Sequence, residues 1–344
     1  MIEKNNYDTI DLFKLIGSIM IFVLHGSAFV EINSRFMFLW ELLTRWAVPF
    51  FFITSSFLLF QNGQNNLVAT CKKYIKRILI LYFVWFVINL PSIFTTYFYG
   101  RDLSSLKTYL LIIRNFILSS TFAGSWFLGS CVFSCLFIGY LCRKIPTKVI
   151  LLFTSVIQLF SVFSSAWGKV PLPFLLEKFL SLFYFPLNIF CGCFYFAIGK
   201  WLAENKNAIS EFGVKKSLSF FVLSGIFYII EIFTAIKLGL FNSTDQSFFV
   251  VPFSVFAFFT AYNSNLDFHK YAKVFRKFST VIFSAQGNFL LLQKISVRFL
   301  KSLMPDFSLL NLVSFLIVFA LMIVFALCIL KLQSKKFKIA YYFT

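Results

Sequence analysis

The chain has 344 residues, 59% of them hydrophobic and 13% charged, and a formal net charge of +19. Soluble domains carry about 25% charged residues, and one soluble core cannot hide this much apolar surface, 53 phenylalanines included. A soluble enzyme is excluded and an all-α polytopic membrane protein is expected. The basic residues sit in short loops between apolar runs, which speaks against nucleic-acid binding and for membrane orientation.

The N-terminal stretch MIEKNNYDTID is polar, mixed in charge and followed by no small-residue cleavage site. The first span is therefore expected to serve as its own targeting signal. Ten spans are expected, each about as long as a bilayer crossing needs. They lie near 10–30, 37–60, 75–98, 126–142, 149–166, 182–202, 217–237, 248–263, 278–297 and 308–330. Segment 103–118, LSSLKTYLLIIRNFIL, is amphipathic and charged, so it reads as an interfacial helix or a short re-entrant element. No loop is long enough for a soluble domain, so residues 1–344 form one transmembrane domain.

With the N-terminus in the cytoplasm, 19 Lys and Arg fall in cytoplasmic loops and 8 on the opposite side. An even span count with both termini cytoplasmic follows. The seven cysteines lie mostly inside apolar runs, lack metal-ligand spacing and read as small packing residues; no metal site is expected.

Polar residues inside the spans are the informative ones. Lys14 and His25 are eleven apart, which returns a helix to nearly the same face about 16 Å along its axis. Lys14 is either a snorkelling anchor or part of a cavity. His25 is either an interhelical hydrogen-bonding group or a functional one, and intramembrane ionisable residues favour function. In the second span, FLWELLTRWAVPFFFITSSFLLF, Glu41 and Arg45 are four apart and can pair on one face. Arg45 is expected at a depth similar to that of His25. Pro49 frees a backbone carbonyl and suits a helix bending around a cavity. Ser55 and Ser56 fit a helix interface. Trp126 and Phe127 read as interfacial aromatics, Glu231 as a residue reaching the interface, and Asn89, Gln158 and Asn188 as packing polar groups. Gln286 and Asn288 flank Gly287 in the ninth span, and His269 reads as a solvated loop residue.

These motifs resemble the integral-membrane acyltransferase 3 family, whose members O-acylate cell-surface sugars in bacteria. DTIDLFKLIGSIMIFVLH is similar to the family's first span, where a basic residue precedes a histidine by eleven positions; here these are Lys14 and His25. The family often has arginine at the first, and lysine keeps the charge without the bidentate fork. RWAVPFFFITSSFLLF matches the second span with Arg45, Pro49, Phe51 and Ser55, while Ser56 stands where glycine is usual. KKYIKRILILYFVW, SWFLGSCVF and FYFPLNIFCGCFYFAIGKWLAE resemble further family elements. One departure stands out: Phe283 and Gln286 occupy places where many members carry a tyrosine and then a histidine.

The resemblance implies a bacterial inner-membrane O-acyltransferase, an O-acetyltransferase in the simplest case. It would use cytoplasmic acyl-CoA, acetyl-CoA above all, and a surface or lipid-linked saccharide hydroxyl. His25 is then expected as base or acyl carrier, since an imidazole with an ordinary pKa of about 6.5 suits either task. Arg45 would stabilise the oxyanion or hold the donor. Lys14, Ser55 and the cluster Lys72, Lys73, Lys76 and Arg77 would bind the donor. A transporter or flippase on the same fold is the alternative, consistent with the missing second histidine.

Overall fold

The computed structural model describes residues 7–99, 105–118, 120–264 and 266–344. The N-terminal hexapeptide, Arg101 and residues 103–104, on which parts of the sequence reading rest, lie outside the described residues. Fifteen α-helices are described, and no strand occurs among the described residues. Among the described residues, three helical stretches are long and apolar enough to cross a membrane, Ser34–Asn62, Val214–Lys237 and Leu310–Ser334, and two bent pairs bring the number to as many as five. The protein is a multi-pass membrane protein.

The chain forms two compact units, described separately. The first holds residues up to Phe13, Arg45–Leu79 and Trp126–Phe268; the second holds Lys14–Thr44, Ile80–Ser125 and His269–Thr344.

Helix α1 (Asp8–His25) carries Asp8 and Asp11 in its first turn and His25 in its last, which complements the helix dipole at both ends. The expected span 10–30 is shortened, because a Schellman closure stops α1 at His25. Ser27 takes the left-handed conformation (φ 48°), its N–H donates to Leu24 O (3.0 Å), and the Ala28 N–H donates to Val23 O (3.3 Å).

The second expected span, 37–60, forms as one helical stretch, Ser34–Asn62, in which a two-residue turn at Arg45 and Trp46 separates α2 (Ser34–Thr44) from α3 (Ala47–Asn62). The cause is Pro49, which lacks the N–H that would reach the Arg45 carbonyl four residues back and whose ring crowds it. Pro49 thus falls in the first turn of α3, where a missing donor is harmless, and Ser34–Asn62 remains a single span.

The expected span 75–98 is broken into α4 (Leu67–Ile88) and α5 (Leu90–Tyr97) at a 70° bend. Pro91 opens α5, and Asn89 bridges the break by donating from Nδ2 to Trp85 O (2.8 Å) and Ser284 O (3.2 Å). Then follow α6 (Leu106–Leu118), α7 (Ser125–Ser134) continued by a π-turn to Leu141, and α8 (Thr147–Phe163). The expected helix 182–202 does not form as such: α9 (Phe174–Phe183) and α10 (Gly192–Glu204) meet at 54° across a left-handed Tyr184 and Pro186. The chain ends with α11 (Lys206–Phe212), α12 (Val214–Lys237), α13 (Val250–Asn263), α14 (His269–Leu303) and α15 (Leu310–Ser334). At 35 residues, α14 runs about 52 Å, well beyond the expected 278–297 and beyond a hydrocarbon core of about 30 Å.

In the first unit α3 packs on α10 at near backbone contact. A Cβ on Gly199 would lie 2.5 Å from Ile53 O and 2.6 Å from Ser56 Cβ, and Ser56 Oγ donates to Phe196 O (2.5 Å). Phe127 packs into this core, buried with its ring centroid 4.5 Å from that of Phe52, and the half-buried Trp126 lies 6.1 Å from the same ring. The core of the second unit joins α1, α14 and α15 through Phe22, Val23, Ile282, Phe315, Val318 and Met322.

Candidate functional site

In the second unit, Lys14 and His25 share the unbroken helix α1, as their spacing requires. Lys14 is half-buried and His25, the last helical residue, is exposed. Helix α14 grips α1 beside both. Ser279 Oγ donates to Lys14 O (3.0 Å), and Gln293 Nε2 donates to Gly26 O (2.8 Å) and Asn311 Oδ1 (2.9 Å). Residues 279, 286 and 293 recur every seven positions, close to two turns, and so form one stripe of α14. Gln286, midway, is almost fully buried.

In the first unit, Arg45 sits at the α2–α3 break. Its Nη1 donates to Asp245 Oδ1 at 2.8 Å, the side chains keeping 20% and 14% of their accessible surface. The other carboxylate oxygen of Asp245 accepts from Ser243 Oγ (3.0 Å) and the Tyr184 hydroxyl (3.2 Å). The loop that carries Asp245 is tied down on both flanks. Ser243 Oγ meets Ser165 Oγ (2.8 Å), the Gln246 N–H donates to Ser165 Oγ (2.8 Å), and Gln246 Oε1 accepts from Tyr195 Oη (2.6 Å) and Gln158 Nε2 (3.1 Å). Gln158 is thus one strand of a polar network that fixes the partner of Arg45.

Glu231 does not reach for the interface. It is buried and accepts from Trp167 Nε1 (2.9 Å) and from the N–H groups of Phe248 (2.9 Å) and Phe249 (2.8 Å), closing the N-terminus of α13. Asn188 shapes the turn before α10, donating to Phe183 O (3.0 Å) and accepting from Phe190 N (2.8 Å). Ser55 lies half-buried beside the Tyr74 hydroxyl. Lys72, Lys73, Lys76 and Arg77 are all exposed on the first turns of α4, four cations within six residues, a charge density suited to a polyphosphate. His269 is exposed at the first position of α14.

The structure therefore keeps Lys14 with His25, keeps the basic cluster together, and gives Arg45 a partner that the sequence reading did not name. Asp245 carried a weak signal: it is the only acid in the polar run NSTDQS between two apolar helices. Among the described residues no group of three or more His, Cys, Asp or Glu is arranged to hold a metal.

An amino-acid racemase of Enterococcus faecalis is similar to this chain, 24% identical over 231 residues, which is 65% of this chain and 32% of the racemase. The chain spans about a third of the length of that curated relative. No solved structure matches it. The acyltransferase domain family matches residues 7–331, from the first turn of α1 almost to the end of α15 and across every candidate residue named above; this multi-pass membrane protein belongs to the acyltransferase 3 family.

Proposed function

We propose that the protein is a membrane O-acyltransferase that moves an acyl group, acetyl in the simplest case, from cytoplasmic acyl-CoA to a hydroxyl of a surface or lipid-linked saccharide. Ten crossings with both termini in the cytoplasm of a bacterial cell complete the reading. The observation that carries it is the family match across residues 7–331, which includes His25 and Arg45.

The exposed imidazole of His25 takes the proton of the acceptor hydroxyl as its oxygen attacks the thioester carbonyl. A C–O bond forms, the C–S bond breaks, and the proton passes to the departing CoA sulfur. Arg45, held by Asp245, supplies positive charge to the tetrahedral oxyanion or to the donor. Lys14, Ser55 and the exposed Lys72, Lys73, Lys76 and Arg77 attract and seat the donor, the basic cluster meeting its phosphates. A carrier or flippase is the competing reading, favoured by Gln286 standing where many family members have histidine.

The test is transfer of radiolabelled acetyl from acetyl-CoA into saccharide in membranes holding the wild type or His25→Ala at matched expression. Label incorporated by the wild type and lost in the variant is expected. Full transfer by a folded His25→Ala protein would remove both the base and the acyl-carrier role of His25, and wild-type membranes that neither bind nor consume acyl-CoA would favour the transporter or flippase.

A further inference from the structure

Buried amides nearly always find hydrogen-bond partners, because leaving one unmet is costly. Among the described residues of the second unit, Ser314 Oγ is left without a partner on α15, and a group of amides breaks the rule together where α14 meets the α4–α5 break. Gln286 is 1% exposed and neither Oε1 nor Nε2 has a partner; Asn89 is 0% exposed and its Oδ1 has none. The Asn89 amide is oriented without ambiguity, since its nitrogen donates to two carbonyls. Two residues along α14, Asn288 repeats the pattern: its Nδ2 donates to Ile88 O (2.5 Å) and its Oδ1 is unmet.

Two glycines lie against these amides. A Cβ on Gly287 would come within 2.7 Å of Asn89 Oδ1, and one on Gly124 within 2.7 Å of Gln286 Nε2. Gly124 also has φ +82°, a conformation that excludes most other residues. The α4–α5 break, the segment before α7 and the middle of α14 therefore meet around bare backbone and unmet amides.

The unmet set is rich in acceptors: three oxygens and one amide nitrogen. It calls for a ligand that mainly donates and also accepts, which describes hydroxyl groups. An anion offers no donor to the oxygens, and an ammonium would be desolvated against neutral amides alone. We propose that Gln286 and Asn89 form a subsite for the hydroxyl groups of a neutral polyol. On the acyltransferase reading, on which its role rests, this is where a saccharide acceptor is recognised, two turns along α14 from the Gln293 that holds the carbonyl next to His25.

The test is calorimetric titration of the purified full chain in lipid nanodiscs with methyl β-glucoside, and with inorganic sulfate as an anion without hydroxyl donors, whose tighter binding would overturn the subsite. Saturable binding of the neutral glycoside is expected. Gln286→Leu should bind it at least about tenfold more weakly, as the loss of such hydrogen bonds implies, while its thermal midpoint holds or rises. Gln286→Met, similar in length, serves if the leucine variant does not fold. Absence of glycoside binding by the wild type, unchanged binding by the variants, or binding lost together with the thermal midpoint would each overturn the subsite. Acetyl transfer is assayed on the same preparations. Binding without transfer defeats the enzyme and leaves the subsite; transfer without binding defeats the subsite and leaves the enzyme.

Discussion

Arg45 and Asp245 should behave as one energetic unit. Their contact is 2.8 Å, both side chains are largely buried, and two hydroxyls hold the far carboxylate oxygen. Removing one partner of a buried pair costs about 3–5 kcal/mol. Because each side chain keeps some accessible surface, about 2–3 kcal/mol is expected for Asp245→Val or Arg45→Met alone, toward the lower end of the measured range for breaking charged contacts. The double variant should cost well under the sum, since it leaves no unpaired charge behind, with a coupling of about 2 kcal/mol. Detergent-induced unfolding followed by the fluorescence of the six tryptophans measures all four corners of the cycle. Additivity within about 0.5 kcal/mol would refute the reasoning and make Asp245 a bystander.

Two further predictions concern the first unit. Gly199→Ala places a methyl 2.5 Å from Ile53 O and should destabilise by about 1–3 kcal/mol or more as α3 and α10 are forced apart; wild-type unfolding of this variant would show that the helices can separate freely. Glu231→Ala strands the Phe248 and Phe249 N–H groups and the Trp167 indole, so a loss of about 2 kcal/mol or more is expected. A quenched or shifted Trp167 emission should accompany that loss, and an unaltered emission spectrum with full stability would contradict the capping role.

The helical architecture was legible because hydropathy reports directly on it, and most helix ends fall within a few residues of the expected spans. Breaks inside apolar runs were not. Pro91 was visible in the sequence, yet an apolar stretch looks the same whether or not a proline has divided it, and only the lost i−4 bond decides. The Schellman stop after His25 was hidden for a different reason: Ser27, not glycine, takes the left-handed position. Arg45 stood out because a charge within an apolar run is costly. Asp245 did not, because an acid in a polar loop is unremarkable until the fold brings it across 200 residues. Glu231 and Gln158 followed the same logic, their meaning lying in partners far away in the chain.

The paired clasps of Ser279 on the Lys14 carbonyl and Gln293 on the Gly26 carbonyl constrain motion as well as position. They stand fourteen residues apart on α14 and engage points twelve residues apart on α1 and the residue that closes it, so the two helices run in the same direction like rails joined by two sleepers. Sliding α1 by one turn would unseat both at once. Any rearrangement that admits a substrate near His25 must therefore either carry α14 along with α1 or open both clasps together, which favours an all-or-none step over a gradual one.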